Sequence, residues 1–179
     1  FTVRRGEIVG FAGLMGAGRT ELARSLFGRT YGNFISGQMF LHGEPITATT
    51  VASAIKKGLA YVPEDRKTLG LNLLDTIKAT IVSANLGSIV KRGLIDGDEE
   101  FAVASRYRTS LRIKAPSVNV GVATLSGGNQ QKVVLSKWMY PDPELLILDE
   151  PTRGIDVGAK YEIYKLIQDL ADQGKAVVV

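Results

Sequence analysis

The chain has 179 residues, 45% of them hydrophobic, and a formal net charge of +4. This length fills one core, or one core with an added lobe, and the composition is that of a globular protein rather than a disordered one. The absence of cysteine excludes disulfides, a thiol nucleophile and a thiolate metal site. The basic residues form no long block, so we expect no nucleic-acid partner. No apolar run reaches the roughly 18 residues that span a bilayer.

A glycine-rich loop, Gly13–Thr20, lies between a short apolar strand predicted over Glu7–Ala12 and a helix predicted to begin near Arg19. Glycines let successive backbone N–H groups point into one concavity, and the helix adds the positive end of its dipole. This order is typical of a loop that binds polyphosphate, with the Thr20 hydroxyl placed to bind Mg²⁺. The predicted nucleotide-binding residues are Gly13, Gly16, Ala17, Gly18, Arg19, Thr20 and Glu21.

The loop departs from the usual phosphate-binding pattern at Arg19, where the pattern has lysine. The charge is kept, but a planar guanidinium is wider than a compact ammonium and does not replace it at a tight site. Taken alone, the loop has two interpretations: a nucleotide site, or a glycine-rich strand-to-helix turn without a ligand.

The next elements form a small β piece followed by a return to the core. In chain order we predict strands over 37–41 and 44–46, a helix over 51–57 and a buried strand over 59–62. His42, the only histidine, lies in the turn between the first two of these strands. We expect it to face solvent rather than to act in catalysis.

From Glu64 to about Lys137 the pattern is helical, with helices predicted over 75–86 and 97–113. We therefore predict a helical subdomain over 64–137, inserted into a nucleotide-binding core formed by 1–63 and 138–179. Two basic groups, Lys91-Arg92 and Arg106–Arg108, are interpreted as a solvated helix face.

The segment Leu125–Lys132 opens a helix that continues through Val134, Leu135 and Trp138. We predict that Ser126 caps this helix. The adjacent Gly127 and Gly128 let another group approach the backbone closely, or simply make a flexible helix entry.

The most apolar run, Leu145–Leu148, predicts a strand buried on both faces and ends at Asp149 and Glu150. Ligands of open α/β sheets bind at the carboxyl ends of such strands, and buried charge requires a partner, so we expect a cation there. Asp149 can serve Mg²⁺ through water, and Glu150 can orient or deprotonate an attacking water. A structural ion pair is the alternative. A loop over 152–156, a helix over 160–171 and a strand over 175–179 complete the prediction.

The phosphate loop, the Leu-Ser-Gly-Gly segment and the apolar strand ending in Asp-Glu together resemble the ATP-binding cassette ATPases. Four longer stretches, 13–21, 61–66, 125–132 and 149–160, resemble one branch, the ATPase subunit of monosaccharide importers. The resemblance implies an α/β P-loop NTPase core with a mostly parallel sheet, a small antiparallel piece and an inserted helical lobe. It further implies the second, C-terminal cassette of a tandem pair within a longer chain. The aromatic residue that stacks on adenine is then expected before Phe1, and the switch histidine after Val179.

The resemblance also implies a role for each matching residue. Glu150 is implied to be catalytic, Asp156 to belong to a loop that contacts the other cassette, and the metal to be held by Thr20, Asp149 and Glu64. Glu64 stands where the family usually has glutamine. The implied signature residues, which serve the ATP of the partner cassette, are Ser126, Gly127, Gly128 and Gln130.

The implied cofactors are ATP and Mg²⁺, and the implied location of the protein is the cytoplasmic face of the membrane. The expected partners are the first cassette of the same polypeptide or a second subunit, a transmembrane permease subunit and, indirectly, a sugar-binding protein. The alternatives are a regulatory cassette with little hydrolysis, an ATPase unconnected to transport, and an interaction domain with vestigial motifs. We hypothesise that Arg19 makes hydrolysis slow at this cassette.

Overall fold

The computed structural model describes residues 1–14, 16–31 and 35–179. The strands are β1 (Ile8–Val9), β2 (Met39–Leu41), β3 (Glu44–Ile46), β4 (Leu59–Val62), β5 (Val90–Lys91), β6 (Leu94–Ile95), β7 (Leu145–Leu148) and β8 (Ala176–Val178). The helices are α1 (Arg19–Leu26), α2 (Val51–Lys56), α3 (Ile77–Val82), α4 (Gly97–Ser110), α5 (Gly127–Met139) and α6 (Val157–Asp172). A π-helical turn covers Arg66–Gly70, and 3₁₀ turns cover Ser83–Ile89 and Val122–Thr124.

The central sheet is parallel throughout, with strand order β1-β8-β7-β4. The register places Leu146 of β7 between Ala60 of β4 and Val177 of β8. All three of these side chains are buried. The unbroken apolar run of β7 is therefore explained by burial on both faces, as predicted from the sequence. Strand β1 is shorter than the predicted strand over 7–12.

Two antiparallel hairpins lie outside this sheet. Strands β2 and β3 are joined by His42 and Gly43, whose φ angles of 53° and 81° are those of a type I′ turn. The His42 side chain is more than half exposed and its Nε2 lies 2.6 Å from Glu144 Oε2, so the predicted solvent-facing turn is confirmed. The second hairpin, β5–β6, turns at Arg92 and Gly93 with φ of 53° and 83°.

The interpretation of Lys91-Arg92 as part of a helix face was therefore wrong. Strands of two residues are too short to show a period of two, so the hairpin leaves little trace in the hydrophobic pattern. The Arg-Gly pair at the turn was the available signal.

Helix α5 connects the central sheet with the helices of the middle segment. It packs against β4 and α6 on one side and against α3, which in turn packs on α4. Its Val133, Val134 and Leu135 are fully buried, and the Trp138 ring meets Phe27 edge-on at 5.3 Å. The division into 1–63 with 138–179 and 64–137 stays a prediction. In the described parts of the chain, no helix has the length and apolar character needed to cross a membrane.

Candidate nucleotide site

The glycine loop follows β1 and ends where α1 begins. Gly16 and Gly18 adopt φ of 82° and 87°, which glycine reaches without steric cost. A Cβ at either position would meet open space, so these values serve the path of the backbone rather than close packing. Leu22 donates to the Gly18 carbonyl at 2.9 Å, and the N–H groups of the three preceding helical residues lie ahead of this first bond. Donors therefore lie at the helix end, as an anion site requires. Met15 lies outside the described residues.

The structure brings Arg19 and Glu150 together. Arg19 Nη1 donates to Glu150 Oε1 at 2.9 Å, across 131 residues of chain. The two side chains are 33% and 43% exposed, so solvent screens the pair and its contribution to stability is at most about 1 kcal/mol. Glu150 has a φ of 47°, an unusual backbone for a non-glycine residue at the end of a strand. The contact places the glycine loop beside the Asp-Glu pair, and the guanidinium covers the carboxylate predicted to activate water.

Asp149 is buried, and its carboxylate accepts a hydrogen bond from the core residue Tyr61. Tyr61 Oη donates to Asp149 Oδ2 at 3.0 Å, and the Asp149 N–H donates to the Val62 carbonyl at 2.9 Å. Burial, followed by the negative charge of Asp149, raises the pKa of Tyr61 well above its ordinary value. The phenol therefore stays protonated and continues to donate. No role was predicted for Tyr61, although it opens the 61–66 stretch that carries the resemblance. The parallel pairing of β4 with β7 sets it beside the end of β7.

Arg19, Asp149 and Glu150 lie on one wall of a cavity of about 330 Å³. The rest of its lining is largely apolar and includes Leu22 and Ile147. The cavity is therefore lined in part by the three residues that the sequence assigns to phosphate and metal chemistry, together with the polar residues Thr152 and Tyr164.

In the described residues, Glu64 makes no hydrogen bond or salt bridge to Arg19, Asp149 or Glu150. Its carboxylate pairs with the guanidinium of Arg153, in the loop after β7. Within the described ranges, no three His, Asp or Glu side chains converge as a metal cluster. A Mg²⁺ ion that enters with phosphates and keeps several waters requires only one or two protein ligands. The Asp149 carboxylate and the Thr20 hydroxyl, in the first turn of α1, are oxygen donors of the type that Mg²⁺ takes.

The segment at the start of α5 contacts the chain's own loop and α6. A Cβ on Gly128 would lie 2.6 Å from Ala159 Cβ, and one on Gly127 would lie 2.8 Å from Arg66 Nη2. The glycines thus allow a close approach, and the approaching groups belong to this chain. Gln130 is buried and its Nε2 donates to the Val122 carbonyl at 3.3 Å.

Ser126 is the N-cap residue of α5, but its side chain makes no capping hydrogen bond. The predicted cap was therefore wrong in its chemistry, although right in its position. Instead, Ser126 Oγ accepts a hydrogen bond from Asn129 Nδ2 at 2.9 Å.

The loop over 152–156 is fixed at both ends. Arg66 donates to the carbonyls of Arg153 and Gly154 at 2.8 and 3.2 Å. Asp156 caps α6 by accepting from the Ala159 N–H at 2.8 Å. No role was predicted for Arg66, a buried arginine whose signal was its place at the end of the 61–66 stretch that carries the resemblance. In the described residues, no hydrogen bond joins Ser126 to Arg19 or Glu150, so we describe the candidate residues as two clusters.

The parallel sheet, the glycine loop that feeds α1 and the Asp-Glu pair at the end of β7 define a P-loop NTPase fold. The sequence profile of the family described as ABC transporter matches residues 1–153, and the chain belongs to this family.

The comparisons with individual proteins agree with this assignment. The chain is 56% identical over 178 residues to the L-arabinose transport ATP-binding protein AraG of Geobacillus stearothermophilus. It is 50% identical over 179 residues to the xylose import ATP-binding protein XylG of Thermoanaerobacter pseudethanolicus. These alignments cover 99% and 100% of this chain but only 35% of each relative, so the chain spans about a third of their length.

The fold resembles that of a solved ATP-binding cassette, MJ0796, described as a dimeric post-hydrolysis state bound to ADP and Pi. The TM-score is 0.80 at 20% sequence identity, over 100% of this chain and 76% of that one. The predicted fold class is thereby confirmed.

Proposed function

We propose that this chain is an ATP-binding and ATP-hydrolysing cassette of a simple-sugar importer. The observation that carries the proposal is the contact of Arg19 with Glu150, because it sets the phosphate loop directly beside the carboxylate pair. Phosphate-binding donors, a buried Asp and an exposed Glu then lie at one edge of the sheet, as phosphoryl transfer requires. The substrate class is supported by the arabinose and xylose import relatives.

Each side chain of the site has a distinct task in this proposal. The backbone N–H groups from Gly16 to Glu21 and the Arg19 guanidinium bind the phosphates. Thr20 and Asp149 hold the Mg²⁺ that accompanies ATP and neutralises charge on its phosphates. Glu150 orients or deprotonates the attacking water after the Arg19 guanidinium has turned from it to phosphate.

The second cluster serves a nucleotide held by another cassette. Ser126, Gly127 and Gly128 lie at the N-terminal end of α5, where a hydroxyl and free N–H groups can face an anion. We propose that Asp156 and its loop contact that other cassette, which is the first cassette of the same polypeptide or a second subunit. A permease subunit and, indirectly, a sugar-binding protein complete the complex at the cytoplasmic face of the membrane, with this chain as the C-terminal cassette.

A second candidate function is a regulatory cassette that binds nucleotide and turns it over slowly. The Arg19–Glu150 pair favours it, because a guanidinium on Glu150 competes with the water that this carboxylate would activate. A wide guanidinium also replaces the compact ammonium of the usual loop. The buried Asp149 and the exposed Glu150 favour hydrolysis.

The proposal is tested by removing the Thr20 hydroxyl in the full-length protein with Thr20→Val. Binding of labelled ATP is measured with Mg²⁺ and with a chelator, together with uptake of arabinose, xylose, ribose and galactose in vesicles that contain the permease. We expect the Mg²⁺-dependent gain in ATP affinity to fall about tenfold or more, the value of one lost ligand to a charged group. Ser25→Ala is the matched control, since the Ser25 hydroxyl donates only within α1, to the Leu22 carbonyl at 2.7 Å. Unchanged Mg²⁺ dependence in the Thr20 variant would refute the assignment.

A further inference from the structure

We propose that Asn129 is a positioning residue that fixes the direction of the Ser126 hydroxyl, so that its proton is presented to an acceptor outside the chain. The inference rests on the proposed function, in which Ser126 meets the phosphate of a nucleotide held by another cassette. It adds a residue and a task to that site: orientation of a donor by a side-chain amide on the same helix.

The first step is the orientation of the Asn129 amide. The backbone N–H of Lys114 donates to Asn129 Oδ1 at 2.8 Å. A backbone N–H can only donate, so the atom facing it must be the amide oxygen. The alternative orientation, with the NH₂ group toward Lys114, would set two donors against each other. The loop that follows α4 therefore decides which end of the Asn129 amide faces Ser126.

The second step is the consequence for Ser126. The remaining end of the amide is Nδ2, which lies 2.9 Å from Ser126 Oγ and has no lone pair to accept with. The serine oxygen must accept this bond, so its own proton points elsewhere. In the described part of the chain the Ser126 side chain donates no hydrogen bond and does not cap α5. Its proton is left for an external acceptor.

The third step is the placement of this hydroxyl. Ser126 is exposed, whereas Asn129 is half-buried between the serine and the loop after α4. The serine backbone is fixed by the Gln130 N–H, which donates to the Ser126 carbonyl at 2.9 Å. The exposed donor is thus held on its backbone side by Gln130 and on its side-chain side by Asn129. A phosphate oxygen, which only accepts when ionised, is the complementary ligand.

The substitution Asn129→Asp reverses the direction of the bond and keeps the shape. An aspartate oxygen still accepts from the Lys114 N–H, but the other oxygen now accepts from Ser126, which turns the serine proton inward. We test this variant in the full-length protein, alone and combined with Ser126→Ala, and measure Mg²⁺-ATP turnover in each background. Asn119→Asp controls for the added charge, because Asn119 is exposed in the same segment and its side chain makes no hydrogen bond in the described residues.

We expect Asn129→Asp to lower turnover about tenfold or more when Ser126 is present, the cost of losing a hydrogen bond to a charged group. In the Ser126→Ala background the same substitution leaves only the effect of its charge, so the loss shrinks by about tenfold. Thermal unfolding of the single variant is expected to match that of Asn119→Asp. Equal losses in the two backgrounds would overturn the inference and assign Asn129 to helix structure alone. No loss from Ser126→Ala by itself would instead refute the proposed role of Ser126, so the two failures are distinct.

Discussion

At Gly128 the structure leaves too little room for a side chain. A Cβ built there lies 2.6 Å from Ala159 Cβ, whereas carbon atoms in contact are separated by about 3.5–4.0 Å. The deficit is therefore about 1 Å. Neither methyl group can relieve it by rotation, because both are attached directly to helix backbone. Gly128→Ala must push the start of α5 away from the first turn of α6.

Overpacking of this kind costs about 1–3 kcal/mol, and the greater helix propensity of alanine offsets up to about 1 kcal/mol of it. We expect Gly128→Ala to lower the free energy of unfolding by about 1–2 kcal/mol. Ala159→Gly removes the colliding methyl group and costs at most about 1 kcal/mol by itself. The double variant is then expected to be more stable than the sum of the single effects predicts, with a coupling of about 1–2 kcal/mol.

The wild type, the two single variants and the double variant form a double-mutant cycle. Urea unfolding of these four proteins, followed by the fluorescence of Trp138, measures the coupling. Trp138 is the only tryptophan and lies on α5 itself, so the probe reports on the helix that is displaced. Gly97→Ala is the matched control, since Gly97 opens α4 and a Cβ there meets nothing within 4 Å. It is expected to change stability by no more than about 0.5 kcal/mol in either direction. Additive effects of Gly128→Ala and Ala159→Gly would refute the reasoning, because they would mean that the two methyl groups do not meet.

Two further predictions concern the edge of the sheet. Arg19→Lys in the full-length protein is expected to raise ATP turnover at this site about tenfold, because a compact ammonium frees Glu150 and fits between phosphates. Steady-state kinetics measure the effect, and Arg24→Lys is the control, since Arg24 Nη2 donates to the Thr30 carbonyl at 3.1 Å. Unchanged turnover in the Arg19 variant contradicts the hypothesis. Tyr61→Phe is expected to lower stability by about 1–3 kcal/mol near neutral pH, because Asp149 loses its buried donor. Since the folded-state pKa of Tyr61 is raised, its contribution is present below the unfolded pKa near 10 and is lost as the pH rises above it. The stability difference between wild type and Tyr61→Phe should therefore shrink above about pH 10, and a constant difference in urea unfolding from pH 8 to 11 would contradict this.

The fold was largely predictable because its central strands and helices carry strong patterns. The apolar run of β7 indicates a buried strand, and the glycine loop before α1 indicates a strand-to-helix turn under either of its interpretations; both lie where they were predicted. The β5–β6 hairpin was missed because two-residue strands carry no periodicity. Whether an element can be predicted from its hydrophobic pattern thus depends on how many residues the element contains.

The sequence singled out individual residues of the candidate site, but it did not show which of them meet. Motif spacing identified Arg19 and Glu150 separately, but only the fold shows that they meet across 131 residues. Arg66 and Asn129 lie in the stretches 61–66 and 125–132 that carry the family resemblance, but no role was predicted for either, since their partners are carbonyl groups and an N–H distant in sequence. Long-range hydrogen bonds of this type depend on tertiary packing, which the local periodicity of a single sequence does not reveal.

The loop over 152–156 lies between the cluster of Arg19, Asp149 and Glu150 and the cluster at the start of α5. The free energy of the contacts that hold this loop can be estimated. Arg66 holds the carbonyls of Arg153 and Gly154, Glu64 pairs with the Arg153 guanidinium, and a Cβ on Gly127 would meet Arg66. Displacing Arg66 from this loop would break two part-buried hydrogen bonds of a charged group, about 1.5–3 kcal/mol each. Because a ligand shifts such an equilibrium only by its differential affinity, a nucleotide must discriminate between the two arrangements by a comparable amount to move them. The salt bridge between Glu64 and Arg153 holds the same loop, so it adds to the resistance that such a movement has to overcome.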